Sequence, residues 1–211
     1  MAAHETRMLL LGAVALFEPV NGYQIRRELL SWQVDRWANV NPGSIYGGLN
    51  TLSRQGHLVR HDLVDAGREV AVYELTDSGR AELRSLMVTA LESVDPYDRA
   101  AFTVAFSQLP LLDPDQVLRS LTVRRTRLQE TDREFAATKP GTAPPHAMRG
   151  MVLWLDLATA ELAWLREVIE DIRSGALKFE AVEDWDWAPP ADDPGWQMDA
   201  DRQKYRALLD R

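Results

Sequence analysis

The sequence predicts a mainly α-helical chain in which an N-terminal winged helix-turn-helix, built from three helices and a two-stranded wing, precedes an α-helical domain. Three observations predict this fold. Residues 42–55 have the pattern of a short helix with start and stop signals, and two β-rich runs joined by a Gly-containing turn follow at 58–75. Beyond residue 95, apolar residues recur mostly at helical spacing.

Two helices are predicted ahead of residue 42. Residues 6–17 are apolar on most sides, which indicates a buried helix. The apolar run at 8–17 is too short to span a bilayer, so we expect no association with a membrane. Asn21 and Gln24, three residues apart, match a capping box that opens the second helix.

The predicted helix at 42–55 organises the N-terminal part of the chain. Asn41 is a good N-cap, Pro42 suits the first helical position, and Gly56 suits a left-handed stop. Its apolar stripe comprises Ile45, Leu49 and Leu52. Its outward positions, which are small or polar, comprise Ser44, Gly47, Asn50, Thr51 and Arg54. An ordinary surface helix has the same pattern, and it is the hairpin after Gly56 that favours a recognition helix.

The hairpin forms the wing, with strands at 58–64 and 69–75 and a tip at 65–68. Thr76 then caps a long helix that runs to residue 93. The Asp95-Pro96 pair ends this helix, because the residue before a proline disfavours helical geometry. We therefore expect a first domain at residues 1–95.

Three further helices are predicted at 98–109, 115–137 and 147–173. The last carries two neighbouring apolar sets. One keeps heptad spacing and comprises Met151, Trp154, Ala158, Leu165, Val168 and Ile172, and the other comprises Leu153, Leu157, Ala160 and Trp164. A helix apolar over so much of its circumference needs two partners, one in the same chain and one in a second subunit. Residues 96–178 are therefore predicted to be a helical dimerisation domain.

Residues 179–211 form an acidic tail that also contains Trp185, Trp187 and Trp196. A plain acidic tail would be disordered, but three tryptophans predict a docked one. We expect anchored patches at 179–187 and near Trp196, lying on the C-terminal helical domain of the same or the partner subunit. A short helix is predicted at 205–209.

The chain has 211 residues, a net charge of −8 and no cysteine. The lack of cysteine excludes disulfides and Cys-ligated metal sites, and it suits the reducing cytoplasm, where we expect the protein to act. Residues 1–94 carry 9 basic and 11 acidic side chains, and residues 95–211 carry 15 and 21. Because nucleic-acid binders are typically basic, avid nonspecific coating of DNA is not expected.

No motif for catalysis or metal binding is visible in the sequence. The histidines lack metal-ligand spacing and are His4, His57, His61 and His146. No phosphate loop, nucleophile elbow or Rossmann glycine motif is present. We therefore expect no enzyme activity, no catalytic residue, no cofactor and no metal.

Six motifs, in their combined order and spacing, resemble the PadR family of transcriptional regulators over residues 6–90. They are Gly12-Ala13-Val14-Ala15-Leu16, Asn21-Gly22-Tyr23-Gln24-Ile25, Pro42-Gly43-Ser44-Ile45-Tyr46, Leu49-Asn50-Thr51-Leu52, Gly56-His57-Leu58 and Tyr73-Glu74-Leu75-Thr76-Asp77-Ser78-Gly79-Arg80. The resemblance implies a homodimer that binds an inverted-repeat operator in double-stranded DNA, usually as a repressor, and dimerises through its C-terminal helices. It also implies that small aromatic effectors relieve repression in some members.

The chain departs from the family pattern in two places. Asn21 stands where the family often has His before Gly-Tyr, and Gly47-Gly48 stands where Pro or a larger residue is frequent. A glycine inside a helix costs about 1 kcal/mol relative to alanine. Either these glycines let the backbone approach the DNA groove closely, or the helix is partly loose until DNA binds.

The predicted DNA-binding residues are Tyr23, Gly43, Ser44, Tyr46, Gly47, Asn50, Arg54 and Arg68. Ser44 and Asn50 carry donors and acceptors suited to base edges, and Arg54 can reach phosphate or guanine. The two tyrosines lie near helix N-termini, which favour phosphate. Arg68 at the wing tip is placed for the minor groove or the backbone.

Trp154 and Trp164 are the candidates for effector binding, as an aromatic wall of a pocket at the dimer interface. Packing in the core is the alternative interpretation of both residues. A second class of function also stays open, because a winged helix can serve as a protein–protein interaction module without operator binding. The acidic balance of the chain favours that alternative.

Overall fold

The computed structural model describes residues 2–38, 40–65, 67–137, 144–179, 191, 193 and 195–210. The chain divides into two compact units, Met1–Met87 with Glu180–Arg211, and Val88–Phe179. The predicted mainly α-helical fold, with an N-terminal winged helix-turn-helix and further helices after it, is confirmed. The predicted division into domains at 1–95, 96–178 and 179–211 stays a proposal.

The first unit contains most of the predicted elements. It begins with α1 (Ala2–Phe17), β1 (Val20–Asn21), α2 (Gly22–Ser31) and the single-turn α3 (Val34–Trp37). A 3-10 turn (Pro42–Ser44) leads into α4 (Ile45–Arg54), which is followed by β2 (Leu58–Asp65), β3 (Arg68–Leu75) and α5 (Asp77–Glu92). The last described helix, α9 (Gly195–Leu209), belongs to this unit as well.

The predicted capping signals operate as expected. The Asn21 side chain accepts a hydrogen bond from the Gln24 backbone N–H at 2.8 Å, and the Gln24 side chain accepts one from the Asn21 N–H at 3.1 Å. Thr76 Oγ1 accepts from the Gly79 N–H at 3.0 Å and donates to the Gly56 carbonyl at 2.7 Å. These contacts satisfy donors that the first helical turn leaves without partners.

The wing hairpin, β2 and β3, belongs to a three-stranded antiparallel sheet in the order β1-β3-β2. The β2–β3 register runs from Leu58 opposite Leu75 to Asp65 opposite Arg68, which confirms the predicted tip at 65–68. The strand β1 was not predicted, because two residues are too few to show a period. It pairs only with Val72 and Tyr73 of β3.

The core of the first unit lies around α1, which packs against α2, α4, β3 and α9. Its fully buried side chains include Leu9, Leu11, Ile25, Leu29, Ile45 and Leu49. The predicted burial of the first helix is therefore confirmed. None of the helices in the described part of the chain combines the length and the apolarity that crossing a membrane requires.

The second unit contains α6 (Ala100–Phe106), a 3-10 turn (Leu109–Leu111), α7 (Pro114–Ala136) and α8 (Pro145–Ser174). The long helices α7 and α8 pack against each other. Asp113 caps α7, because its side chain accepts from the N–H groups of Asp115 and Gln116. The heptad set predicted for the last of these helices faces inward, with Trp154, Ala158, Leu165, Val168 and Ile172 all buried.

A buried ion pair joins the long helices of the second unit. Arg124 on α7 donates to Glu161 on α8 at 2.7 Å, and the arginine side chain is only 2% exposed. The guanidinium carbon lies 3.8 Å from the centroid of the Phe102 ring. Burial lowers the pKa of Arg124 below its ordinary value, and the neighbouring Glu161 carboxylate opposes part of this change.

The expectation that the tail docks on the C-terminal helical domain is wrong for α9. This helix packs against α1 and β1 of the first unit, and it is longer than the predicted 205–209. Its buried side chains are Met198 and Tyr205, whereas Trp196 is 49% exposed. Trp185 and Trp187, with most of the predicted patch at 179–187, lie outside the described residues.

Candidate nucleic-acid interface

The position of α4 is fixed by hydrogen bonds just before its start and by the burial of its inner side. At its start, the Asn41 side chain accepts from the Gly43 N–H at 2.9 Å, and Ser44 Oγ donates to the Asn41 carbonyl at 2.7 Å. Its inner side comprises Ile45, Leu49 and Leu52, all of which are buried. The opposite side is therefore fixed in orientation and points away from the core.

The outer side of α4 brings most of the predicted DNA-binding residues together. Those exposed there are Gly43, Ser44, Tyr46, Gly47, Asn50 and Arg54. Thr51 donates to the Gly47 carbonyl at 2.8 Å, and Arg54 donates to the Thr51 hydroxyl at 3.3 Å. The resulting surface offers hydroxyl, amide and guanidinium groups on one helical face, which is the chemistry that reads base edges and phosphates.

The two adjacent glycines of α4 have different surroundings. A Cβ atom added at Gly48 would lie 2.4 Å from Cδ1 of Leu10, which is itself buried on α1. A Cβ atom added at Gly47 would meet nothing within 4 Å among the described residues. Gly48 is thus required by the close packing of two helices, and Gly47 leaves the middle of the outer face without a side chain.

One flank of this face is an open groove between α1, α4 and α5. Its volume is about 980 Å³, and it is lined by Ser44, Gly47 and Thr51 on one side and by His4, Arg7 and Glu82 on the other. Arg7 donates to Glu82 at 2.8 Å and to Gln55 at 2.6 Å. The groove therefore continues the polar surface of α4 toward the N-terminal helix.

The other flank is formed by the start of α2. The Tyr46 ring lies against Gly22, since a Cβ atom at Gly22 would be 3.1 Å from Tyr46 Cε1. Tyr46 is 44% exposed, and Tyr23, the residue after Gly22, is 63% exposed. Two tyrosines consequently extend from the first turns of neighbouring helices, where backbone N–H groups and the helix dipole favour anions.

The wing carries Arg68 at its tip, opposite Asp65, and the Arg68 side chain is exposed. Gly67 in the turn has a φ of +78°, a left-handed conformation that glycine adopts without a Cβ clash. The turn chemistry and the arginine are both as predicted from the sequence.

Arg60 belongs to this interface, although the sequence pattern does not single it out. Its guanidinium pairs with Asp62 at 2.8 Å and approaches the Asn50 side-chain oxygen at 3.4 Å, so it links β2 to α4. The hydrogen bond to Asp62, followed by the charge of that carboxylate, raises the pKa of Arg60. The signal in the sequence is the spacing of two between Arg60 and Asp62, which places both on one face of the strand.

The two effector candidates lie in separate aromatic clusters of α8. Trp154 is buried against Phe135, with ring centroids 4.4 Å apart, and its Nε1 has no hydrogen-bond partner among the described residues. Trp164 is half-buried and contacts Phe106 at 4.9 Å and Phe102 at 6.0 Å. Ten residues of helix separate the two tryptophans by about 15 Å, so one pocket wall does not contain both.

Metal coordination finds no support within the described ranges, where no group of three or more acidic or histidine side chains converges. The two histidines near the wing have other partners. His61 pairs with Glu74 at 2.8 Å, and His57 with Ser78 at 3.1 Å.

Comparison with known proteins finds a similar family for the N-terminal part of the chain. Residues 10–85 match the model of the transcriptional regulator PadR-like family. Similar solved structures include Bacillus subtilis PadR in complex with operator DNA, at 16% identity over 78% of this chain and 98% of that chain, with a TM-score of 0.36. A PadR-like transcriptional regulator from Bacillus cereus is 17% identical over 79% of this chain and 94% of that chain, with a TM-score of 0.36.

A further structure of Bacillus subtilis PadR, in complex with p-coumaric acid, is 16% identical over 80% of this chain and 96% of that chain, with a TM-score of 0.33. TM-scores this low add nothing to the family match. Comparison with curated protein sequences gives no significant match. The match over residues 10–85, which contain most of the winged helix-turn-helix, is consistent with a transcriptional regulator of the PadR-like family.

Proposed function

We propose that the protein is a homodimeric, sequence-specific repressor that binds an inverted-repeat operator and is released by a small aromatic effector. The observation that carries the DNA-binding part is the outer face of α4. This face presents Ser44, Asn50 and Arg54 around a glycine that no side chain covers, next to an exposed wing arginine. The match of residues 10–85 to the PadR-like family supports the same function.

The outer face of α4 has the properties of a helix that enters the major groove. Gly47 allows the backbone to approach base edges closely, and the amide of Asn50 can recognise adenine through paired hydrogen bonds. Arg54 and Arg68 supply positive charge along α4 and the wing. Tyr23 and Tyr46 add hydroxyl groups at the flank, where they can donate to phosphate oxygens.

The acidic composition is compatible with DNA binding because several carboxylates near this face are neutralised. Asp62 pairs with Arg60 at 2.8 Å, and Asp65 pairs with Lys204 at 2.6 Å. Affinity depends on the local field at the contact surface more than on the charge of the whole chain. We expect binding of moderate strength that weakens steeply with salt.

Dimerisation is proposed to use the outer side of α8. The second apolar set is exposed there at Leu153 (61%) and Leu157 (42%), with Val152 beside them at 43%. An exposed row of large apolar side chains marks a surface that another protein covers. A second copy of the chain suits it, because two copies align two recognition helices with the halves of an inverted repeat.

The effector is proposed to bind beside Trp164 in preference to Trp154. Trp164 is accessible and forms a cluster with Phe102 and Phe106, and the Arg124 guanidinium lies over Phe102. Such a cluster suits a flat aromatic ligand, whose ring can stack on these aromatic side chains. We would titrate p-coumaric acid against wild type, Trp164→Phe and Trp154→Phe. Loss of the fluorescence change only in Trp164→Phe is expected, and loss only in Trp154→Phe would contradict this assignment.

Operator binding is tested by fluorescence anisotropy with a labelled duplex that covers the promoter region of the gene encoding this chain. A duplex of the same length and shuffled sequence is the control. We expect preferential binding to the promoter duplex and a linear loss of log affinity with log salt concentration. Equal binding of both duplexes, or binding that is indifferent to salt, would contradict the proposal.

The alternative function is a protein–protein interaction module, which the net charge of −8 favours. The same titration separates the two functions. An interaction module should show no preference for the promoter duplex, and substitutions on α4 should leave its weak DNA binding unchanged.

A further inference from the structure

The helix α9 is tied to the first unit by polar contacts with three of its elements. Arg202 donates to the carbonyls of Leu16 at 2.9 Å and Phe17 at 3.3 Å, which are acceptors at the end of α1. Asn21 donates to the Tyr205 hydroxyl at 2.9 Å, and Gln24 donates to Asp201 at 2.9 Å.

These contacts give the Asn21 side chain two partners. Its amide oxygen caps α2, and its amide nitrogen holds Tyr205, so the side chain uses a donor and an acceptor at once. Tyr205 is only 2% exposed. The C-terminal helix is therefore anchored beside the start of α2.

From this anchored position, Lys204 reaches the wing. Its Nζ lies 2.6 Å from Asp65 and 2.9 Å from Asp201. The hydrogen bond to Asp65, followed by that to Asp201, raises the pKa of Lys204, so the ammonium stays charged at neutral pH. Asp65 is the last residue of β2 and pairs with Arg68 across the turn.

The outer part of the wing needs such a tie. The third strand, β1, pairs with β3 only at Val72 and Tyr73. Beyond these residues the wing is a two-stranded ribbon, from Asp62 paired with Ala71 to Asp65 paired with Arg68. A two-stranded ribbon alone is only marginally stable in water.

We propose that Lys204 is a positioning residue for DNA binding: through Asp65 it fixes the wing so that Arg68 reaches the DNA. The C-terminal helix thereby acts as a built-in support of the wing, although it lies 139 residues from Asp65 in sequence. This inference rests on the DNA binding proposed above.

The test is a double-mutant cycle on affinity for the promoter duplex. Lys204→Met should lower affinity about three- to tenfold, the scale of one lost phosphate or groove contact. In the Arg68→Ala background the same substitution should have little further effect, because the contact it supports is already gone. With Tyr46→Ala the losses should multiply, since Tyr46 lies on α4. Lys204→Arg should retain most of the affinity.

A matched control removes an equal charge from the same helix. Arg206→Met changes an exposed side chain two residues further along α9. It should leave affinity within about twofold, as expected for a charge outside the contact surface. Losses that multiply for Lys204→Met and Arg68→Ala would overturn the proposal, because Lys204 would then act on DNA directly. Unchanged affinity in Lys204→Met would overturn it as well.

Hydrogen exchange in the free protein separates this inference from the proposed function. In Lys204→Met, the amides of 63–65 and 68–70 should exchange faster, while those of α4 stay unchanged. Unchanged exchange at the wing would overturn the support role whatever the DNA result. If wild type shows no preference for the promoter duplex but exchange at the wing responds, the DNA-binding proposal fails and the tie between α9 and the wing stands.

Discussion

The helices α4 and α8 have the same 3.6-residue period but differ in the residues that they bury and expose. The inner side of α4 is wholly apolar, and its outer side is polar apart from Tyr46. By contrast, α8 directs Glu161 toward a buried arginine and leaves Leu153 and Leu157 exposed. A helix with a polar outer face suits a charged, hydrated partner such as DNA, whereas exposed leucines suit an apolar partner such as a second subunit.

The largest effect is expected from charges on the outer side of α8. Replacing both Leu153 and Leu157 with Asp should give monomers, because two carboxylates cannot be buried in an apolar interface. Loss of the dimer should lower operator affinity about 100-fold or more, since two linked half-sites no longer bind together. Sedimentation velocity and anisotropy measure the two results.

The control for this variant is Leu177→Asp, an exposed leucine beyond the end of α8. It should leave the dimer intact. Leu165 and Val168 are unsuitable targets, at 0% and 8% exposure, because their replacement would disrupt the core of the unit. A persistent dimer in the double variant would show that the exposed leucines have another role.

The second prediction concerns the inner side of α8. Glu161→Ala should lower the free energy of unfolding by about 3–5 kcal/mol, because it leaves the buried Arg124 guanidinium without its carboxylate. Urea denaturation followed by circular dichroism measures the change. Asp199→Ala is the control: the Asp199 side chain is 59% exposed and lies 3.8 Å from Arg202 on the same helix, and loss of such a surface pair costs about 0–1 kcal/mol. Equal losses in the two variants would contradict the contrast between the buried pair and the surface pair.

The third prediction uses the adjacent glycines of α4 as an internal pair. Gly47→Ala should stabilise the protein by up to about 1 kcal/mol, because alanine favours helix and the site is open. Gly48→Ala should instead destabilise it by about 1 kcal/mol, since overpacking against Leu10 costs about 1–3 kcal/mol and exceeds the helical gain. Thermal melts of the two variants decide between these signs.

The same pair distinguishes the two interpretations of these glycines. If Gly47 serves close approach to DNA, Gly47→Ala should weaken operator binding while raising stability. If α4 is loose until DNA binds, the substitution should tighten binding by ordering the helix in advance.

The smallest effects are expected from single contacts on the DNA face. Arg68→Ala should weaken binding about three- to tenfold and reduce the slope of log affinity against log salt by about 0.9. Tyr46→Ala should weaken binding to a similar extent without changing that slope, because a hydroxyl releases no counterion. Both variants should keep the melting temperature of the dimer. Full affinity in both would contradict the assignment of α4 and the wing as the DNA surface.

Much of the winged helix is predictable because its signals are local. Asn41, the capping box at Asn21 and Gln24, and Thr76 each act on N–H groups within three residues. The two β-rich runs on either side of the turn at Gly67 identify the hairpin in the same way. The outer face of α4 follows from the helical period once its apolar side is known.

Other features escape prediction because they depend on residues that are distant in the chain. The role of Arg60 requires Asn50 from α4, and the need for glycine at position 48 requires Leu10 from α1. Trp154 and Trp164 belong to two neighbouring apolar sets of the sequence, which do not reveal that the residues join different aromatic clusters. Only the partners contributed by α6 and α7 separate them.

The sequence by itself determined where most helices and the two wing strands lie, because capping, turn geometry and apolar period operate over a few neighbouring residues. The tertiary structure alone decided where the C-terminal helix lies. The bond between Asn21 and Tyr205 joins residues 184 apart, and no local pattern specifies which surface such a helix covers. Its composition suggested a tail held by tryptophans on the helical domain, whereas α9 is held by polar groups that the ends of α1, α2 and the wing leave available.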